Sequence, residues 1–149
     1  MTTTPTYLAG YRTVLDAFGY WPSFHDAKVR SFEYSEVPPG KVEFVVHGFE
    51  MTSEVDAGGY FKLVKHHLVR FTFDGISDVE LEPFAKGFAE FGQILGYLGF
   101  PLPDGSNEAS GFRVLLDSVM EGDGSFTAKA GAVLEVVPCN SDGERLQPV

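Results

Sequence analysis

Apolar residues in the first part of the chain recur at the spacing of a helix. Five of them share one face at i, i+3 and i+4 positions, namely Leu8, Tyr11, Val14, Leu15 and Phe18. This pattern predicts an amphipathic helix over residues 6–18. Gly19 stands where a left-handed residue ends a helix, and Pro22 prevents its continuation.

From Ala27 onward the apolar period becomes that of β-strands. We predict six strands, at residues 28–34, 41–51, 60–73, 77–82, 112–119 and 126–137. In the first strand the apolar positions change phase between Val29 and Phe32, which predicts a β-bulge near Arg30 or Ser31. The turn signal Pro38-Pro39-Gly40 then predicts a hairpin between the first two strands.

Alternation along the predicted strands assigns three histidines to faces. His47 is expected with Phe49 on the face of the second strand that lies opposite Phe44. His66 and His67 are adjacent, so they are expected on opposite faces of the third strand. The two side chains therefore cannot bind one ion unless a bulge intervenes.

The remaining segments complete an α+β fold. Polar residues 52–59 predict an exposed loop, and residues 84–98 predict a short or broken helix after strand four, because Gly87, Gly92 and Gly96 weaken its helical spacing. We expect residues 1–149 to form a single domain with an ordered core at about 6–138, followed by a flexible tail at 139–149. The predicted architecture is a mainly antiparallel sheet of about six strands with an N-terminal helix.

Composition narrows the class of protein. The 14 Phe residues predict a core built largely on aromatic side chains, and the single cysteine, Cys139, excludes an internal disulfide framework. Without an apolar run of membrane-spanning length or a secretory leader, the chain is expected to be cytoplasmic. The net charge of −10 argues against nucleic acid and permits a basic protein partner, although it fits solubility alone equally well.

The candidate chemistry centres on His25 and Asp26. A histidine beside an acid invites a catalytic interpretation, but we favour a turn in which Asp26 accepts backbone N–H groups while His25 packs among Trp21 and Phe24. No pair of histidines has the i, i+4 spacing of a helical metal site, and no nucleophile motif is present. We therefore predict no catalytic residue, no metal and no cofactor.

A binding surface is the remaining class of site. Acidic and aromatic residues in or beside the predicted loops could dock a basic partner, and the candidates are Glu54, Asp56, Tyr60, Asp104 and Glu108. The alternative is a solvated acidic rim, and the sequence alone does not separate the two.

One stretch carries a family resemblance. The motif Trp21-Pro22-Ser23-Phe24-His25-Asp26-Ala27, between a short helix and a strand, resembles the immunity protein 50 family of bacterial polymorphic toxin systems. Residues 69–75 and 79–82, together with Phe84, are similar to a second block of that family, and residues 133–137 fit its closing strand.

The resemblance implies a non-enzymatic cytoplasmic protein that binds and blocks a cognate toxin. The sequence does not determine the oligomeric state or the stoichiometry of the complex. Within the motif, Trp21, Pro22, Phe24, His25 and Asp26 are then expected to form a structural corner. Two alternatives stay open. One is a small metal-dependent or histidine-based enzyme centred on His25, with His47 or His67 nearby. The other is a structural domain that self-associates through a strand edge.

Overall fold

The computed structural model describes residues 4–81, 94–102, 111–118 and 122–146. It contains one helix, α1 (Tyr11–Phe18), and eight strands. The strands are β1 (Lys28–Ser35), β2 (Lys41–Val55), β3 (Phe61–Asp74), β4 (Ser77–Glu80), β5 (Leu95–Gly99), β6 (Phe112–Ser118), β7 (Gly122–Ala128) and β8 (Ala130–Pro138). The expected α+β class with mainly antiparallel pairing is confirmed.

The strands form two four-stranded sheets instead of the single six-stranded sheet that was predicted. The first sheet has the order β1-β2-β3-β8 and the second has the order β4-β7-β6-β5. The chain passes between them at Gly75 and again at Lys129, where the Lys129 N–H donates to the Asp74 carbonyl at 3.0 Å. Gly75 has a φ of 67°, and a Cβ on it would lie 2.8 Å from the Lys129 side chain. The two crossings therefore touch, and the sheets pack over each other.

Two predicted elements are wrong. Residues 126–137 are not one strand, because the chain changes sheets at Lys129 and so divides into β7 and β8. Residues 95–98, expected in a helix after strand four, lie in β5, where Leu98 pairs with Leu116 of β6. A short apolar run suits a buried strand as well as a helix, so the neighbouring strand decides. The remainder of the predicted helix, up to residue 93, lies outside the described residues.

The helix begins later than its apolar spacing predicts. Residues before Tyr11 are bound to the first sheet, since the Ala9 N–H donates to Gly131 and the Ala9 carbonyl accepts from Val133 at 2.7 Å. Because these backbone groups bond to β8, they do not form helical bonds. The predicted C-terminus is confirmed, because Gly19 has a φ of 86° and its N–H donates to the Leu15 carbonyl.

An aromatic core fills the space between the sheets, as the phenylalanine content predicts. Phe71 of β3 lies 5.6 Å from Phe100, and Phe73 lies 5.4 Å from Phe126 of β7, measured between ring centroids. Such tilted and edge-on pairs add to the free energy gained from burial. The predicted bulge in β1 is also confirmed, because its register with β2 shifts between Val29 and Ser31.

The β2–β3 hairpin is longer than either of its neighbours. Pairing with β1 stops at His47 and pairing with β8 stops at His67, whereas β2 and β3 remain paired as far as Val55 and Phe61. Residues 52–55, expected in a loop, are thus part of β2. We call residues 48–66, which extend beyond the four-stranded part of the sheet, the arm.

The chain turns back after β8 and contacts the first sheet. The Cys139 N–H donates to the His66 carbonyl at 3.1 Å, and Arg145 lies 3.4 Å from Glu135. Cys139 is buried, which raises the pKa of its thiol. These contacts reach Leu146, while the flexibility expected for residues 139–149 stays a prediction. In the described part of the chain, no helix is long and apolar enough to cross a membrane.

Candidate functional site

The Trp21–Ala27 motif forms a corner between α1 and β1. Trp21 and Phe24 are buried, and the Trp21 ring lies edge-on to Phe71 at 6.4 Å and to Phe100 at 6.1 Å. Pro22 is buried beside them. These side chains occupy the core between the sheets and present little surface to a partner.

The backbone of the corner joins the two sheets. Phe24 and Asp26 both have left-handed conformations, with φ angles of 58° and 65°. This double turn lets the Asp26 N–H donate to the Leu95 carbonyl at 2.7 Å, while the Leu95 N–H donates to Ala27 at 2.8 Å. Asp26 tolerates this conformation better than most residues do. The start of β1 is thereby bonded to β5 of the second sheet.

The side chain of His25 does not pack among Trp21 and Phe24, contrary to our expectation. It is 64% exposed, and its Nδ1 lies 3.2 Å from Oδ2 of Asp26. The neighbouring Ser23 hydroxyl accepts the backbone N–H of His25 at 3.2 Å. The left-handed turn brings two sequence neighbours together on the surface, an arrangement that the sequence did not predict.

The other histidines lie on the faces that alternation predicts. His47 and His66 meet on the outer face of the first sheet, with Nε2 of His47 and Nδ1 of His66 2.9 Å apart. His67 lies on the inner face, with its ring 5.1 Å from that of Phe18. The proposed group of His25 with His47 or His67 is not assembled by any contact in the described residues.

The environment of His47 disfavours positive charge. Its side chain is 3% exposed, and burial lowers its pKa to about 4, with further contributions from His66, Arg30 and Lys28. The positive charges of Arg30 and Lys28 also disfavour a metal cation beside His47. Within the ranges that the structure describes, no three His, Cys, Asp or Glu side chains are placed to hold a metal.

The arm carries an exposed apolar face. Met51 pairs with Leu63 and Val55 pairs with Phe61, so residues from both strands project on the same side. These four side chains are between 37% and 59% exposed. They continue the outer face of the first sheet. His47 and Phe49 lie on that face, and the centroids of their rings are 6.1 Å apart. An apolar group on a projecting hairpin has the character of a binding surface.

Three of the five candidate partner-binding residues lie at the end of this arm. Glu54 is exposed in β2, and Tyr60 is exposed at the start of the returning strand. Asp56 forms the turn, because its Oδ1 accepts the N–H groups of Gly58 at 2.9 Å and Tyr60 at 3.0 Å. Asp104 and Glu108 lie outside the described residues.

Sequence reasoning missed Met51, Val55 and Leu63 as surface residues of the arm, whereas Phe61 belongs with Tyr60 to the aromatic residues beside the predicted loop. Thr52, Ser53 and Glu54 interrupt the apolar alternation, and the β2–β3 register is irregular between Met51 and Val55. The available signal was the presence of apolar residues on both sides of the polar segment 52–59, with Met51 before it and Phe61 and Leu63 after it.

A polar network fixes the base of the arm to the end of α1. Lys65 donates to the Phe18 carbonyl at 2.8 Å and lies 3.6 Å from Glu50. Tyr20 hydrogen-bonds to Glu50, and burial together with this carboxylate raises the pKa of Tyr20 to about 12. A cation beside a helix C-terminus is favourable because the terminal carbonyls carry partial negative charge. The arm is thereby held against the corner.

Two clefts open beside the corner. A groove of about 260 Å³ separates it from β2 and is lined by Tyr20, Pro22, Ser23, Phe24, His25, Phe49, Glu50 and Met51. A larger cleft of about 460 Å³ lies on the other side, between Tyr7, Trp21, Tyr97 and Phe100. Among the described residues that line it, there is no carboxylate, histidine or cysteine.

No known protein family, characterised protein or solved structure was found to match this chain.

Proposed function

We propose that this protein is an immunity-type inhibitor that binds a bacterial toxin and blocks it through a protein–protein interface. The carrying observation is the exposed apolar face of Met51, Val55, Phe61 and Leu63 on a hairpin that projects from the sheet. The resemblance of Trp21–Ala27 to the immunity protein 50 family supplies the class of partner. As that resemblance implies, binding takes place in the cytoplasm and involves no catalysis.

The arm suits a protein partner because its large apolar and aromatic side chains lie close together. Large apolar and aromatic side chains near the centre of an interface carry most of its binding free energy, and Phe61 and Tyr60 are of this kind. The flanking acids Glu54 and Asp56 then lie at the rim, where charge affects orientation and association rate. A partner with an apolar depression surrounded by Lys or Arg is the complement of this surface.

The overall charge favours the same partner. A chain with a net charge of −10 attracts a basic surface over a distance of about 8–10 Å at physiological salt, the Debye length. Burying exposed apolar area contributes roughly 25 cal/mol per Å², so the arm supplies affinity while charge accelerates encounter. A toxin with a basic surface fits both features.

The proposal predicts that a toxin domain is encoded beside this gene, and co-expression with that domain tests the proposal in cells. The critical variant is Phe61→Glu, and its matched control is Leu134→Glu on β8, because these residues are 55% and 53% exposed. Wild type and Leu134→Glu are expected to restore growth, whereas Phe61→Glu fails although it melts at the same temperature. Equal protection by both variants, or no protection by wild type, contradicts the proposal.

A further inference from the structure

On the side of β2 that pairs with β1, the part of β2 in the arm has no neighbouring strand among the described residues. β1 pairs with β2 from Lys41 to His47, where Lys28 is the last partner. Beyond that point the corner turns away and bonds to Leu95 of the second sheet. Among the described residues, no strand pairs with residues 48–55 of β2 on this side. Outward-facing N–H and C=O groups along such an edge are a template for another strand.

The groove between the corner and β2 lies directly beside this edge. Phe49, Glu50 and Met51 form its wall on β2, and the opposite wall consists of Tyr20, Pro22, Ser23, Phe24 and His25. The network of Tyr20, Glu50 and Lys65 holds the two walls together without closing the groove. A preorganised opening reduces the conformational entropy lost when a strand is bound.

We infer that residues 48–55 of β2 accept an extended segment of the partner as an additional β-strand, in line with β1. This inference rests on the proposed function and specifies how the partner is held. Main-chain hydrogen bonds supply affinity in such strand addition, and alternate side chains supply specificity.

The residues that line the groove define the side chains of that strand. Phe49 and Met51 on its β2 wall favour apolar residues. Glu50 between them favours a basic residue. The partner segment therefore combines apolar with Lys or Arg side chains.

A second copy of this chain is a poorer occupant of the same edge. Antiparallel pairing of two β2 edges about Thr52 places Glu50 opposite Glu54 of the other copy, and both copies carry the net charge of −10. Like charges directly opposite each other destabilise a strand pair. The outer edge of β3 is partly occupied, since the His66 carbonyl accepts from Cys139. The acidic charge of the chain therefore favours a basic strand over a second copy, and the partly occupied edge of β3 leaves the edge of β2 as the place where it binds.

Amide hydrogen exchange with a synthetic probe tests the inference on the purified full chain. The probe is a ten-residue peptide of alternating Val and Lys, and the controls are the same peptide with every backbone nitrogen methylated and an alternating Val–Glu peptide. We expect the Val–Lys peptide to slow exchange at least tenfold at alternating amides of residues 48–55, while neither control does so. Equal binding of the methylated peptide, or binding without this protection, overturns the inference.

The same measurement with the neighbouring toxin domain separates this inference from the proposed function. Slowed exchange at residues 48–55 in the toxin complex supports strand addition. Tight toxin binding with unchanged exchange there overturns strand addition and leaves the inhibitor function intact. If the Val–Lys peptide slows exchange at these amides but the protein does not bind the toxin, strand addition is supported and the inhibitor function is contradicted.

Discussion

The corner and the arm contain similar residues and use them differently. At the corner, Trp21 and Phe24 are enclosed by rings from both sheets, whereas Phe61 and Tyr60 of the arm face solvent. The difference arises because, among the described residues, the second sheet packs against the corner and not against the arm. Aromatic content therefore does not distinguish a core from a binding surface, but the presence of an opposing layer does.

Truncating one aromatic residue in the corner and one in the arm gives the largest predicted difference in the free energy of unfolding. Trp21→Ala is expected to lower the free energy of unfolding by about 3–5 kcal/mol, because a buried aromatic is replaced by a cavity. Phe61→Ala is expected to change it by less than about 0.5 kcal/mol, because the side chain has little to lose on the surface. Urea denaturation monitored by circular dichroism measures both. Similar losses for the two variants refute the distinction.

Acid is expected to weaken the sheet at the base of the arm. The pKa of His47 is about 4 in the folded protein and 6.5 in the unfolded chain, so the unfolded chain binds more protons between these values. Stability therefore falls as pH decreases through this window, by up to about 3 kcal/mol near pH 4, at 1.36 kcal/mol per unit of pKa difference. Denaturant titrations between pH 7 and pH 4 measure the slope.

The variant His47→Gln separates this contribution from other acid-sensitive groups. It is expected to lose stability less steeply than wild type between pH 6.5 and pH 4, because Gln does not titrate. Parallel curves for the two proteins show that His47 is not the responsible group.

A smaller effect is predicted for the contact between the arm and α1. Lys65→Met removes the ammonium that binds the Phe18 carbonyl and Glu50, and we expect it to cost about 1 kcal/mol, as for one hydrogen bond. Lys62→Met, on an exposed side chain of the same strand, is the control and is expected to be nearly neutral. Thermal melts of both variants provide the test, and equal melting temperatures argue against the anchoring role of Lys65.

The sequence predicts local structure well where one face of a strand is buried. The phase change between Val29 and Phe32 correctly indicates a bulge, and alternation correctly separates His66 from His67. In these strands a shift of one residue exposes the apolar face, so the pattern is strongly constrained. Gly19 likewise ends α1 because its conformation is set within one turn.

The remaining errors concern features that neighbouring residues do not determine. Nothing around Lys129 shows that the chain changes sheets there, because the contact with Gly75 is made by residues distant in sequence. Thr52–Val55 was predicted as a loop because the segment 52–59 is polar. Among the described residues, no strand or helix packs over this part of the arm, so its strand pairing imposes no apolar alternation. The same lack of cover makes these residues available to a partner, so the site falls where the sequence pattern is weakest.

The dissociation constant of the neighbouring toxin domain, measured by calorimetry for Phe61→Glu and Leu134→Glu, tests the role of the arm most directly. A buried charge at the centre of an interface costs at least about 2–3 kcal/mol, so Phe61→Glu is expected to raise the dissociation constant about 30-fold to 150-fold. Leu134→Glu is expected to leave it within threefold of wild type. An unchanged dissociation constant for Phe61→Glu, or equal weakening by both variants, contradicts the assignment of the arm as the binding surface.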